Sequence, residues 1–321
     1  MIIVSVSRLA TVLAMLVVVG SASAAGGLPG AHAIKICAAA GPYWPTMTLA
    51  FSGDSAWIAC KEQSRVIRVN TTTGKTTRSL LLRTPVIAVA SGFGSVWALD
   101  SGSELHRINP TSGKVVKRLY LRASAAYNLW IGGGSVWAAD DQGAAVIRVN
   151  PRTNRVIARP RVGDGPADLV VNGGSAWVIS HRARVLHRID LSTNRSRKLA
   201  VLPGDAPERM VWSHGSLWVT GRGTDLLKVS PADGSVQDTV EIGASGIDVA
   251  AAGKDLWIPT RSAAVDQSGF PTMDALKRVS IAGAVSVVGE PSGRVDVHGL
   301  ATRGGALWLA DNTNGFLYRV G

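Results

Sequence analysis

The feature that most constrains this chain is a tryptophan that returns at near-constant spacing. It stands at Trp57, Trp97, Trp137, Trp177, Trp218, Trp257 and Trp308, at intervals of 40, 40, 40, 41, 39 and 51 residues. Each follows a turn, most of them glycine-containing, as in Gly94-Ser95-Val96-Trp97 and Gly134-Ser135-Val136-Trp137. A fixed period near 40 with alternating apolar residues and glycine punctuation marks β-propeller blades of about four strands each. Seven anchors predict an all-β, seven-bladed β-propeller. One blade cannot bury its own faces, so the ring has to fold as a single cooperative domain.

Within a repeat, strand a (innermost) precedes the glycine turn, as in Asp168-Leu169-Val170-Val171, and strand b carries the Trp. Strand c is a run such as Val66-Ile67-Arg68-Val69-Asn70 or Val146-Ile147-Arg148-Val149-Asn150. Strand d follows turns such as Asn109-Pro110-Thr111-Ser112-Gly113, where Asn accepts from the backbone, Pro presets φ and Gly tolerates positive φ. The run Gly132-Gly133-Gly134 is an a to b turn rather than a phosphate cradle, because no helix-period segment follows it. The sequence reaches Gly321 directly after Leu317-Tyr318-Arg319-Val320, strand c of blade seven. The outer strand of that blade is therefore expected from His32-Ala33-Ile34-Lys35-Ile36, which closes the ring.

Residues 1–24 read as a secretory signal: Arg8, an apolar run from Leu9 to Val19, then the small residues Ser21 to Ala25. Cleavage after Ala24 leaves residues 25–321 as one propeller domain and places the protein outside the cytoplasm, extracellular or periplasmic. No other stretch reaches the ~18 apolar residues of a membrane span. Export permits a disulfide between Cys37 and Cys60, although two free thiols are equally compatible with the sequence.

Strand polarity puts the a to b and c to d turns on one face and the b to c and d to a loops on the other, the mouth. The first face is built from repeated tight turns, and variation between blades falls at the mouth. Two repeat positions reach it. Three residues after the Trp stand Cys60, Asp100, Asp140, Ser180, Gly221, Thr260 and Asp311; nine before it stand Thr48, Ala88, Asn128, Asp168, Arg209, Asp248 and Gly299. Asp100, Asp140, Asp168, Arg209 and Asp248 are thus the candidate ligand-binding residues, since carboxylates converging on a channel suit a cation or a polyhydroxyl ligand. The competing reading is that these Asp residues cap loops through backbone N–H groups. Blade six carries a ten-residue surplus in its b to c loop, Thr260 to Asp274, placed for a lid or a neutral insertion.

The formal charge of +12 raises the question of a polyanionic partner. Its regular component is one basic residue in every strand c: Arg68, Arg107, Arg148, Arg188, Lys228, Arg278 and Arg319. Alternation with apolar neighbours makes these packing residues whose stems lie between blades. The seven Trp are likewise core anchors, with Trp44, Trp130 and Trp212 off the repeat. The basic charge then belongs to outer strands and the generic face, around a mildly acidic mouth, and nucleic acid is not the expected partner. His106 and His187 hold repeat positions in strand c, His181 a mouth loop and His214 an a to b turn. No paired CxxC, HExxH, P-loop, GxSxG or EF-hand loop is present.

Gly165-Pro166-Ala167-Asp168-Leu169-Val170-Val171 leading to Gly174-Ser175-Ala176-Trp177-Val178 and Arg188-Ile189-Asp190 resembles the secreted YVTN-type and virginiamycin B lyase-like β-propellers, over essentially the whole mature chain. The resemblance implies a propeller fold and leaves activity open, because such propellers host unrelated functions. In the lyase-like enzymes a His and a Glu, with magnesium nearby, open a lactone by elimination. His298 and Asp311, thirteen residues apart in blade seven, look like that pair, with Asp in place of Glu. The expected function is a binding or interaction module for a small molecule, glycan or protein at the mouth, with no cofactor. The alternative is a magnesium-assisted carbon–oxygen lyase with His298 as general base.

Overall fold

The computed structural model describes residues 27–38, 48–265 and 271–321, so the signal segment, Trp44 and the tip of the blade-six insertion lie outside the described residues. Seven antiparallel sheets succeed one another along the chain, with strands a to d in sequence order in blades one to six and the outer strand of blade seven supplied from the N-terminal end. Blade one is typical: Leu49–Ser52, Ser55–Cys60, Arg65–Asn70 and Thr76–Leu81. The architecture is the seven-bladed propeller read from the tryptophan period. Blade six departs in detail, its inner strand being split into Ser245–Gly246 and Ala250–Ala252.

The core lies between blades. Strand b is buried along its whole length in six blades, and Trp57, Trp97, Trp137 and Trp218 are at most 1% exposed. Trp97 and Leu99 of blade two pack against Leu129, Val136 and Ile147 of blade three, and Trp177 of blade four against Met210 and Leu217 of blade five. Trp97 and Trp137 donate through Nε1 to the carbonyls of Gly92 and Gly132 in the a to b turns, which satisfies the polar edge of each indole.

Each strand-c base faces the strand-b Trp directly across the ladder, as Arg68 faces Trp57 and Arg148 faces Trp137. The guanidinium carbon stands 5.2 Å from the indole centroid in blades two and three. In blades one to four Nε of that Arg also donates at 2.8–2.9 Å to the first residue of strand b, Ser55, Ser95, Ser135 or Ser175. Its Nη1 reaches the next blade: Arg107 to the Pro151 carbonyl and Arg148 to the Leu191 carbonyl, both in c to d turns. The turns are built as the sequence suggests, with Asn109 Oδ1 accepting from the amides of Thr111 and Ser112 and Gly113 at φ +65°.

The ring closes through the N-terminal strand His32–Lys35, which pairs antiparallel with Phe316–Val320. Directly after it, Cys37 forms a disulfide with Cys60 at the end of strand b of blade one, Cα atoms 5.8 Å apart, which settles the question left open between disulfide and free thiols. Ile34, Cys37 and Cys60 join Ala56, Ile58 and Trp308 in one cluster, so the seam between blades seven and one is held by strand pairing, packing and a covalent link. Among the described residues no helix is long and apolar enough to cross a membrane.

Candidate functional site

The blade-six insertion is not a free loop. Strands b and c run on as a hairpin from Asp255–Val265 to Pro271–Ser280, paired as far as Val265 and Pro271, with bulges after Thr260 and Arg261. The described part of the surplus thereby continues the blade-six sheet as paired strand.

Strand a carries a β-bulge in blades two, three, four, five and seven, where the pairing slips between Val86/Ala88, Tyr127/Leu129, Pro166/Asp168, Pro207/Arg209 and Val297/Gly299. A bulge twists the strand and re-aims one side chain, and here it recurs at the mouth end of the innermost strand. The residues nine before each Trp sit at this place. Thr48, Asn128, Asp168, Arg209, Asp248 and Gly299 line a central cavity of about 150 Å³, together with Tyr127 and Trp130.

Three of the candidate residues meet there. Asp168 is buried; its Oδ1 accepts from Trp130 Nε1 and the Leu169 amide and its Oδ2 from the Met210 amide, each at 2.7 Å. Burial pushes the Asp168 carboxyl up to about 6, against the pull of the Arg209 charge and the Met210 amide. Arg209 Nε lies 4.0 Å from Asp248 Oδ1, and its Nη1 donates to the Glu208 carbonyl at 3.0 Å. The result is a charged file across blades four, five and six, with Trp130 of blade three bonded into it.

Asp100 and Asp140 are placed elsewhere and line neither mouth cavity. Asp100 Oδ1 accepts from the Gly102 and Glu104 amides and Oδ2 bonds His106 Nε2 at 2.9 Å. Burial opposes ionisation of Asp100, yet these hydrogen bonds, led by His106, hold its carboxyl below the ordinary value. Asp140 Oδ1 accepts from the amides of Ser124, Ala125 and Gly143. Both carboxylates therefore cap loops. In blade five the same position is Gly221, where a Cβ would come 2.3 Å from the Ala206 carbonyl oxygen.

His298 lies in strand a of blade seven at the bulge between Val297 and Gly299. Asp311 pairs with Val297 across the ladder and is fully buried. Its Oδ1 accepts from the amides of Asp296, Thr313 and Asn314 and its Oδ2 from Asn314 Nδ2. Burial raises the Asp311 carboxyl in spite of these bonds. Four donors leave it little capacity for a cation. The described group with three metal-capable side chains within reach of one another is Asp100, Glu104 and His106 in blade two, and Asp311 does not belong to it. The residues beside Asp311 thus do not fit a magnesium site, and no step is derived through one.

A second and larger cavity, about 340 Å³, adjoins the first and shares Tyr127 and Arg209 with it. It lies between blades three to six, between the apolar residues Ala126, Pro166 and Ala167 and the side chains of His181, Arg182, Glu208, Arg222 and Arg261. The sequence reading missed these charged residues, although a signal existed: Arg222 and Arg261 stand four residues after Trp218 and Trp257, and Arg182 five after Trp177. Three consecutive blades thus carry an arginine four or five residues past the strand-b Trp, in the b to c loop of blades four and five and in the extended strand b of blade six.

No protein-family model matches the sequence. No curated protein matches it either. Solved structures do. The chain is similar to virginiamycin B lyase from Staphylococcus aureus, with a TM-score of 0.74 at 17% identity, covering 90% of this chain and 98% of that one. The fold is shared. A catalytically inactive histidine-to-alanine variant of that lyase with quinupristin matches with a TM-score of 0.73 at 16% identity, over 89% and 98% of the two chains. BamB from Moraxella catarrhalis matches with a TM-score of 0.60 at 12% identity, over 86% of this chain and 83% of that one. One kind of neighbour is named as a lyase and the other is not.

Proposed function

We propose that the protein is an exported propeller that binds a ligand at its mouth, over blades three to six. The observation that carries this reading is that two neighbouring cavities share Tyr127 and Arg209 as lining residues, with aromatic, apolar and charged groups converging on them. Export is supported by the signal-like residues 1–24 and by the Cys37–Cys60 disulfide, a bond that persists in oxidising compartments. Tyr127 is partly exposed and presents a ring with a polar end, the kind of side chain that anchors small molecules, glycans and proteins alike. A thermal-shift screen of metabolites and glycans tests the proposal. Stabilising ligands are expected whose effect is lost in Tyr127→Ala, and a full screen with no Tyr127-dependent shift would contradict it.

A second reading is a lyase with His298 as general base and Asp311 as its orienter. It is favoured by the fold shared with virginiamycin B lyase and by the inactive histidine variant of that enzyme. Against it stands the occupied carboxylate of Asp311. Incubation with quinupristin, with and without EDTA, decides it: ring opening lost in His298→Ala sustains the lyase, and an intact ring removes it.

A further inference from the structure

The walls of the larger cavity are unevenly charged. Four guanidinium groups, Arg182, Arg209, Arg222 and Arg261, face two carboxylates, Asp141 and Glu208. Arg182 is matched by Asp164 at 2.9 Å and Asp141 at 3.2 Å, and Arg209 by Asp248. Arg222 and Arg261 share one acid: Arg222 Nε donates to Glu208 Oε1 at 2.8 Å, while Arg261 Nη2 stands 3.9 Å from Oε2. Glu208 occupies the bulge of blade five, so the twist that displaces it from the ladder puts its carboxylate between the two arginines. Arg261 and Glu208 are each only 19% exposed, where water screens the unmatched charge weakly.

The remaining wall is of a different character. Ala125, Ala126, Pro166 and Ala167 give it an apolar surface, bounded by the Tyr127 ring. His181 bonds the Gly165 carbonyl through Nδ1 at 2.9 Å. A carbonyl only accepts, so Nδ1 carries a proton in this bond.

We infer that this cavity is a site for a small organic anion, its carboxylate or phosphate group held by Arg222 and Arg261 and its apolar body lying along Tyr127, Pro166 and Ala167. The inference rests on the reading that the mouth binds a ligand, and it adds the ligand's chemical class. Arginine suits the task because its planar fork bonds oxyanions in a bidentate manner. A volume of about 340 Å³ falls at the small end of ligand pockets, which run from roughly 300 to 1,000 Å³. Among the described residues Arg222 and Arg261 have one carboxylate, Glu208, between them, and the anion supplies the second.

Ligand-observed NMR on the full mature chain tests it, with aryl and alkyl carboxylates, the corresponding phosphates, and neutral amides of the same shapes as probes. Carboxylates or phosphates are expected to bind and the amides not, and comparison of the two anion series identifies the preferred headgroup. Binding should weaken about tenfold in the R222A/R261A double variant. It should weaken in R261K as well, which keeps the charge and removes the fork and so stands if the double variant fails to fold. Equal binding of amides and anions, anion binding unchanged in both variants, or no anion binding would each overturn the inference. Amide binding that depends on Tyr127 would overturn the anion alone and leave the mouth as the binding face. Absence of any Tyr127-dependent binding would remove both.

Discussion

On the face that carries the a to b and c to d turns, the blades repeat one arrangement. A strand-c base lies over the strand-b indole in six of the seven blades, and in blades one to four it also bonds the Ser that opens strand b. At the mouth the same sequence positions hold different residues in different blades: Asp168, Arg209 and Asp248 follow one another where blades two and seven have Ala88 and Gly299. Repetition on one face and divergence on the other separate what holds the ring together from what gives it a site. A stacking contact works in any blade because the neighbouring blade presents the same surface. A site needs dissimilar groups in one place, which a repeat provides only where it is broken.

Changes on the repeated face should therefore alter stability first. Trp137→Ala removes a fully buried indole and should cost about 3–5 kcal/mol in urea unfolding. At the seam, Cys37→Ser with Cys60→Ser opens a link between residues 23 apart and should cost about 3 kcal/mol. Reducing agent should lower the melting temperature of the native protein and leave that of the double variant unchanged. Arg148→Met removes bonds to Ser135, Leu191 and Asn194 and should cost about 1–3 kcal/mol, because it leaves a buried hydroxyl and two half-buried oxygens without this donor. Arg222→Ala at the mouth should change stability by no more than about 0.5 kcal/mol, since the Arg222 side chain is itself 58% exposed and loses little on truncation. A large loss in Arg222→Ala together with a negligible one in Arg148→Met would reverse the assignment of the two faces.

Asp168 gives the comparison a pH signature. Its folded value of about 6 lies above the ordinary 3.8, so the folded protein binds more protons than the unfolded chain between these values. That group's contribution to stability is full below about 3.8 and falls as pH rises through about 6. Urea unfolding across this window should show the component in the native protein and not in Asp168→Asn; an identical slope in both would place the titration elsewhere.

Much of the fold was legible because the tryptophan and the glycine turn before it are local signals that recur seven times, with Asn-Pro turns in blades two and three beside them. The N-terminal closing strand was legible from the missing outer strand of blade seven. The site was legible only in part. Counting nine residues back from each Trp found the cavity-lining ring, Asp168, Arg209 and Asp248 included, because strand a always faces the axis. Counting three forward found Asp100 and Asp140, which lie at the end of strand b within reach of loop amides and cap them. The difference depends on bulges in strand a and on the length of each loop, which composition and period do not encode. Asp311 follows the same logic, its oxygens being taken by its own loop. The arginines of blades four to six escaped notice because strand-c bases dominate the charge pattern.

The most direct test of the division between faces is a crystal of the protein soaked with the carboxylate, phosphate and amide fragments. The account predicts difference density between Tyr127, Glu208, Arg222 and Arg261, and none on the face of the c to d turns. Density confined to that opposite face, or to blade two around Asp100 and His106, would contradict it.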